Sequence, residues 1–272
     1  MSGTVTVERD AGVLRVVLDD PDAGNVVGHE LVTGLLAATD AAAGDGVRCL
    51  LLAANGPNFC LGGDIRFFSP AGGESPGGVG EKIGELADAL HLMLRRLRDV
   101  PVPVVTAVQG WAAGAGIGLA LAGDVVLLGA SARMRPGYVG LGFSPDGGVS
   151  WRLTRGLGAA RATDLLMSNG ILTAADALAA GLVSRVVPDD ELPDAALELA
   201  RALAAGPTRA LLRTRELVRA ADSGAALDAQ LDAEAAAIAA SAAEPDGLEG
   251  VAAFLAKRRP SFTGAAGPAP TV

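Results

Sequence analysis

Aromatic residues are scarce, at 3% of the 272 residues, and Tyr138 is the single tyrosine. A core for this chain must therefore be aliphatic. With half of all residues hydrophobic, Ala, Val and Leu supply enough apolar material for a sizeable one. Lysine is almost missing: Lys82 and Lys257 are the two present, and the other basic residues are arginines. The net charge of −9 excludes a general nucleic-acid binder. The two cysteines, Cys49 and Cys60, form neither a metal-ligand spacing nor a disulfide framework, so a reduced, intracellular protein is expected. His29 and His91, the two histidines, give no metal pair. No stretch of about 18 apolar residues occurs without charge. The opening Met1-Ser2-Gly3-Thr4-Val5 lacks the positive start and apolar run of a secretory signal, and a cytoplasmic protein is expected.

Glycine, by contrast, is abundant and concentrated in two places. Asn58-Phe59-Cys60-Leu61-Gly62-Gly63-Asp64 follows an apolar, β-like run at 49–54. Gly110-Trp111-Ala112-Ala113-Gly114-Ala115-Gly116-Ile117-Gly118-Leu119 follows another at 102–108. Small residues at such turns let backbone N–H groups approach a ligand closely. The second turn runs into an Ala/Gly/Leu helix, whose first N–H groups carry the positive end of the helix dipole. Two converging N–H groups of this kind form an oxyanion hole, which stabilises negative charge on a carbonyl oxygen. Asp146, in Ser144-Pro145-Asp146-Gly147-Gly148, is the candidate acid–base group beside it.

Around these turns the pattern is that of an α/β chain. Strands are expected at 4–8 and 14–18, joined by Asp10-Ala11-Gly12, and at 49–54, 104–108, 124–128 and 182–187. Helices are expected at 29–43, 81–99, 159–168 and 173–180, with residues 134–142 irregular. Thr173 and Asp176 fit a capping box poorly, because the third position calls for Glu or Gln. Residues 69–80, rich in Gly, Ser and Pro, read either as a passive surface loop or as a mobile wall over the site. His91 falls near the polar side of its helix, a solvated or interface position. Beyond 189 the strands stop and four helices follow, at 190–205, 208–221, 226–240 and 248–258. Residues 1–188 thus form an α/β core carrying the site, and residues 189–272 a helical region.

The motifs, in this order, resemble those of the crotonase, or enoyl-CoA hydratase/isomerase, superfamily. Asp20-Pro21-Asp22-Ala23-Gly24-Asn25 resembles its early Pro…Asn loop. Phe59-Cys60-Leu61-Gly62-Gly63-Asp64 and Gly110–Gly116 resemble its two oxyanion segments, and Gly123-Asp124 the strand entry that follows. The stretch from Glu249 to Phe262 resembles its C-terminal signature. The resemblance spans about residues 4–263. It implies an α/β fold, a right-handed crotonase (ClpP-like) spiral of ββα units with a C-terminal helical trimerisation region, assembled as a homotrimer or a dimer of trimers. It also implies an acyl-CoA thioester as ligand, with the N–H groups of Leu61 and Ala115 on the thioester oxygen. Ala23, Cys60, Leu61, Gly62, Gly63, Asp64, Gly114, Ala115 and Lys257 then surround the substrate. Lys257 reaches a CoA phosphate, or else is a solvated helix end. No metal or redox cofactor is implied; coenzyme A is part of the substrate.

Two departures from the resemblance narrow the chemistry. Hydratases of the superfamily use two glutamates, at positions where this chain has Gly118 and Gly137. Adding water needs one group to activate it and another to manage the second proton. Isomerases of the superfamily, including dienoyl-CoA isomerases and ring-epoxide isomerases, place an aspartate where this chain has Asp146. One base suffices for a 1,3-proton shift, so an enoyl-CoA isomerase is expected. A ring-epoxide isomerase, a hydratase with a rearranged site and a silent acyl-CoA-binding subunit are the alternatives. Asp146 is also well placed for a helix N-cap, and so is Asp64. Cys60 has no histidine partner and reads as a small buried thiol. Trp111 and Tyr138 either line an acyl pocket or pack in the core. Gly114-Ala115-Gly116 lacks the third glycine and the later acidic residue of a dinucleotide site.

Overall fold

The computed structural model describes residues 4–66 and 76–264. It begins with a hairpin, β1 (Val5–Asp10) and β2 (Val13–Leu18). Ala11 and Gly12 both have positive φ, as a two-residue turn matching the strand twist requires. From β2 the main sheet grows by parallel pairing through β3 (Cys49–Ala54), β4 (Val104–Val108), β6 (Val125–Gly129) and β9 (Arg185–Val187). Helices α1 (His29–Ala42) and α2 (Pro76–Arg98) make the first two crossovers. Helix α2 begins earlier than its sequence pattern predicts, at a proline, the residue favoured at a first helical position.

The strands of the main sheet are apolar throughout because both faces are covered. Leu14, Val16, Leu50, Leu52 and Val104 face α1 and α2. Val13, Cys49, Leu51, Val105 and Leu127 face Leu192, Ala196, Ala200 and Ala204 of α7 (Leu192–Ala204). The alternation along Cys49-Leu50-Leu51-Leu52 thus feeds two separate core layers. Truncating Leu51 to Ala costs about 2–5 kcal/mol on this basis.

A second, smaller sheet builds the site. It comprises β5 (Trp111–Ala113), β7 (Arg133–Arg135) and β8 (Leu172–Thr173). Isolated parallel bridges extend it to the loops, Cys60 with Ala112 and Val27 with Gly63. Each unit therefore gives one strand to the main sheet and a shorter one to this layer. Part of the stretch expected as irregular is β7, followed by a 3₁₀ turn at Val139–Leu141.

Helices α3 (Ala115–Ala120), α4 (Val149–Leu157), α5 (Ala159–Met167) and α6 (Ala174–Ala179) fill the gaps between strands. Thr173 and Asp176 do form a capping box at α6: Asp176 N–H donates to Thr173 Oγ1 at 3.2 Å, and Thr173 N–H to the Asp176 carboxylate at 3.4 Å. The shorter aspartate side chain closes the box that its sequence pattern was expected to fit poorly.

After α7 come α8 (Thr208–Asp222), α9 (Leu227–Ala242) and α10 (Pro245–Leu255). Arg215 ties α8 to the sheet by donating to Val100 O and Val102 O and pairing with Asp124. Helix α9 has no buried residue. Leu227, Ile238, Val251, Phe254 and Leu255 of α9 and α10 are all exposed. Among the described residues, no helix is long and apolar enough to cross a membrane.

Candidate active site

The two glycine turns are bound backbone to backbone. Cys60 N–H donates to Trp111 O at 3.2 Å and Ala113 N–H donates to Cys60 O at 2.9 Å. Gly116 lies flat on Cys60, where any Cβ would collide with the Cys60 carbonyl. Small residues in the second turn are thus a condition of this approach.

The N–H groups of the two turns divide into those already bonded and those that face open space. Leu61 N–H, expected as one donor of the hole, is spent on Gly24 O at 3.0 Å. This corrects its placement: the 20–25 loop uses that group to hold the turn. Two residues on, Val27 N–H donates to Gly62 O (2.7 Å) and Asp64 N–H to Val27 O (3.3 Å). Gly63 sits between them, so by the geometry of a parallel bridge its own N–H points away from Val27. Ala115 is the first residue of α3, and its N–H has no partner within the helix. Among the described residues, neither the Gly63 nor the Ala115 N–H meets an acceptor. Helix α3 has only six residues, so Ala115 offers a local donor rather than the end of a long dipole.

Both groups border a cavity of about 730 Å³. Leu61, Gly62, Gly63, Gly114, Ala115 and Asp146 all line it, so six of the candidate residues come together. Ile83, Leu86, Leu90, Leu141 and Phe143 make much of its wall apolar. Tyr138 lines it too while packing in the main core, whereas Trp111 does not line it. A second cavity of about 680 Å³ lies under α8 and holds none of the candidate residues.

The Asp146 side chain does not cap α4. That helix has Gly148 at its N-cap and no side-chain cap bond. Instead Tyr138 OH donates to Asp146 Oδ1 at 2.8 Å. Burial, then the Asp146 charge and this bond, push the Tyr138 phenol well above its ordinary pKa, so it remains a donor. Asp146 Oδ2 has no partner among the described residues.

The residues of the hydratase pair have different fates. At Gly118 a Cβ would run into the Gly147 carbonyl, so the position is closed to every side chain. Gly137 lines the cavity with space around it, at a φ of +80°.

Four expected substrate contacts lie outside this cavity in the single chain. Cys60 is fully buried, its thiol pushed up to about 12 by burial, which leaves it an inert core residue. Asp64 binds the Arg66 guanidinium at 2.9 Å, which holds its carboxyl below the usual range. The described residues stop at Arg66, so a helix capped by Asp64 lies outside them. Ala23 sits in the loop before Gly24, its N–H toward Asp20 Oδ1 at 3.4 Å. Lys257 follows α10 at the exposed C-terminal end. Of the loop expected at 69–80, residues 69–75 lie outside the described residues and 76–80 begin α2.

His91 is the residue that sequence reasoning misjudged. Where a solvated or interface position was expected, it is half-buried within the chain, and its Nε2 accepts the Gly147 N–H at 3.0 Å. A signal for this exists: Gly84, Ala87 and His91 share one stripe of α2, at three- and four-residue spacing, and the first two line the cavity.

Residues 8–265 match the model of the enoyl-CoA hydratase/isomerase family. The chain belongs to that family. This enoyl-CoA hydratase/isomerase family member is 37% identical over 257 residues to the 1,2-epoxyphenylacetyl-CoA isomerase of Escherichia coli K12, covering 94% of this chain and 96% of that one. It is 33% identical over 259 residues to the 2,3-dehydroadipyl-CoA hydratase of the same organism, covering 95% and 98%. Its fold matches the crystal structure of an enoyl-CoA hydratase from Polaromonas sp. JS666 with a TM-score of 0.88, at 33% identity and over 95% and 99% of the two chains. The crotonase-type fold expected from the motifs is the fold of the family member. Isomerases and hydratases both stand among its relatives, so the choice between them rests on the site.

Proposed function

We propose that the protein is an acyl-CoA isomerase that shifts a double bond in an enoyl-CoA by 1,3-proton transfer. The observation that carries this reading is one carboxylate, Asp146, on the same cavity as the unpaired N–H groups of Gly63 and Ala115, with the position of a second carboxylate closed at Gly118. The thioester oxygen accepts from Gly63 and Ala115. Asp146 Oδ2 removes a proton from C2, and the electron pair spreads over the dienolate, its charge held on oxygen by the two donors. The same carboxyl returns the proton at C4, and the double bond ends conjugated with the thioester. Tyr138 holds Oδ1 throughout. The route needs no metal or redox cofactor. The exposed apolar faces of α9 and α10 support assembly as a homotrimer or a dimer of trimers.

A second reading, isomerisation of a ring-epoxide on an aromatic acyl-CoA, is favoured by the name of the 37% identical relative. Hydration is disfavoured because a water-activating carboxylate has no room at Gly118.

The test is turnover of a 3-enoyl-CoA and of an aromatic ring-epoxide acyl-CoA by wild type and Asp146→Asn, with a 2-enoyl-CoA control for hydration. Loss of the base is expected to lower kcat by roughly 10²–10⁴-fold with acyl-CoA binding kept. Turnover that survives the change moves proton transfer elsewhere. Binding without turnover of any substrate points to a silent acyl-CoA-binding subunit.

A further inference from the structure

Asp146 stands on a weak piece of backbone. Gly147 and Gly148 follow it, both with positive φ (59° and 73°), and neither carries a side chain to anchor the turn. Helix α4 adds no side-chain cap there. Yet proton transfer between C2 and C4 demands a base held to within a fraction of an ångström.

Three contacts supply that hold. Tyr138 OH takes Oδ1. The Gly147 carbonyl rests against Gly118. The Gly147 N–H, one peptide from Asp146, donates to His91 Nε2 on α2, 56 residues away in sequence. His91 is not among the residues lining the cavity, so it acts through the turn rather than on the substrate.

We infer that His91 is a positioning residue: its neutral imidazole, protonated on Nδ1, fixes the Gly147 amide and thereby aims the Asp146 carboxylate at the acyl chain. An apolar residue at 91 leaves the Gly147 N–H buried without an acceptor and frees the turn to swing. The oxyanion donors at Gly63 and Ala115 make no hydrogen bond to the turn or to His91, although Gly147 packs beside Ala115. The loss is therefore expected in the chemical step rather than in binding. The inference rests on the reading of Asp146 as base.

The experiment compares His91→Leu, His91→Gln and Asp146→Asn with wild type, on the substrate that wild type turns over. Leu removes the acceptor. Gln places an amide oxygen near the position of Nε2 and restores it. His91→Leu is expected to lower kcat by roughly ten-fold or more, with KM within about two-fold. His91→Gln is expected to recover most of that loss. Nitrogen-15 spectra of the wild type should show His91 as the Nδ1–H tautomer, with the Gly147 amide resonance shifted in the Leu variant and near its native place in the Gln variant. If His91→Leu does not fold, His91→Met, unbranched and lacking a strong acceptor, takes its place. An unchanged kcat in the apolar variant overturns the inference, as does a Gln variant no better than Leu, or a loss confined to KM. If Asp146→Asn remains active, the base assignment itself fails. If Asp146→Asn is inactive while His91→Leu matches wild type, the base stands and the anchor does not. A wild type that turns over neither substrate removes both.

Discussion

The carbonyl oxygen of Gly147 lies against the Cα of Gly118, in the space a Cβ would need. Gly118→Glu is accordingly expected to destabilise the fold by more than about 2 kcal/mol and to gain no hydratase activity. Gly137→Glu meets no such wall, since the nearest atom to a Cβ there is Arg135 O at 4.0 Å. Its cost is the positive φ, about 1–2 kcal/mol. Thermal unfolding of the two variants, with hydration of a 2-enoyl-CoA measured beside it, checks the difference; equal losses of Tm would contradict it.

Tyr138→Phe removes one hydroxyl and leaves the ring, which is 9% exposed, in place. The lost bond is the donation to Asp146 Oδ1. A fall in kcat of roughly ten-fold at nearly constant KM is expected, since hydrogen bonds to charged groups contribute about 1.5–3 kcal/mol. Steady-state kinetics on the turned-over substrate decides this, and a change in KM alone would assign Tyr138 to binding.

Glu244 joins α8 to the α9–α10 junction, accepting from Arg213 at 2.6 Å and Arg209 at 3.0 Å. These bonds, Arg213 first, pull its carboxyl from 4.5 down to about 2. A depressed folded-state value stabilises the native chain above the unfolded value, and that stability is lost as pH falls through the folded one. The acid limb between about pH 4.5 and pH 2 should therefore be shallower in Glu244→Gln than in wild type. Acid titrations followed by circular dichroism test it; superimposable limbs would show that the junction does not contribute.

Phe254 is 83% exposed, and Ile238 71%. Such large apolar side chains on neighbouring helices are what the proposed assembly would cover. Light scattering is expected to give a mass in multiples of three 27.1 kDa chains, and Phe254→Glu with Ile238→Glu to give smaller species. A wild type that is monomeric at micromolar concentration would refute this.

Much of this was legible in the sequence because backbone demands leave strong marks. The strands at Cys49–Ala54 and Val104–Val108 have the bounds their apolar runs predict. The glycine turns announce a close backbone approach, and Asp146 announces a carboxylate beside it. What could not be read was register. Leu61 and Gly63 are two residues apart, and only the pairing of Val27 and Gly24 with the turn decides which N–H is spent and which is open. His91 was legible only in part: its stripe with Gly84 and Ala87 gives its direction, but its partner is a main-chain N–H 56 residues away, and a backbone donor leaves no trace in residue identity.

The contact of Gly118 with Gly147 also bears on how this site can change by descent. A glutamate cannot enter at 118 while the turn beyond Asp146 occupies its place. The order of substitutions is therefore constrained: the turn must withdraw first, and a mutation at 118 arriving before that is a dead end. Directed evolution toward water addition should diversify residues 143–148 before it touches position 118.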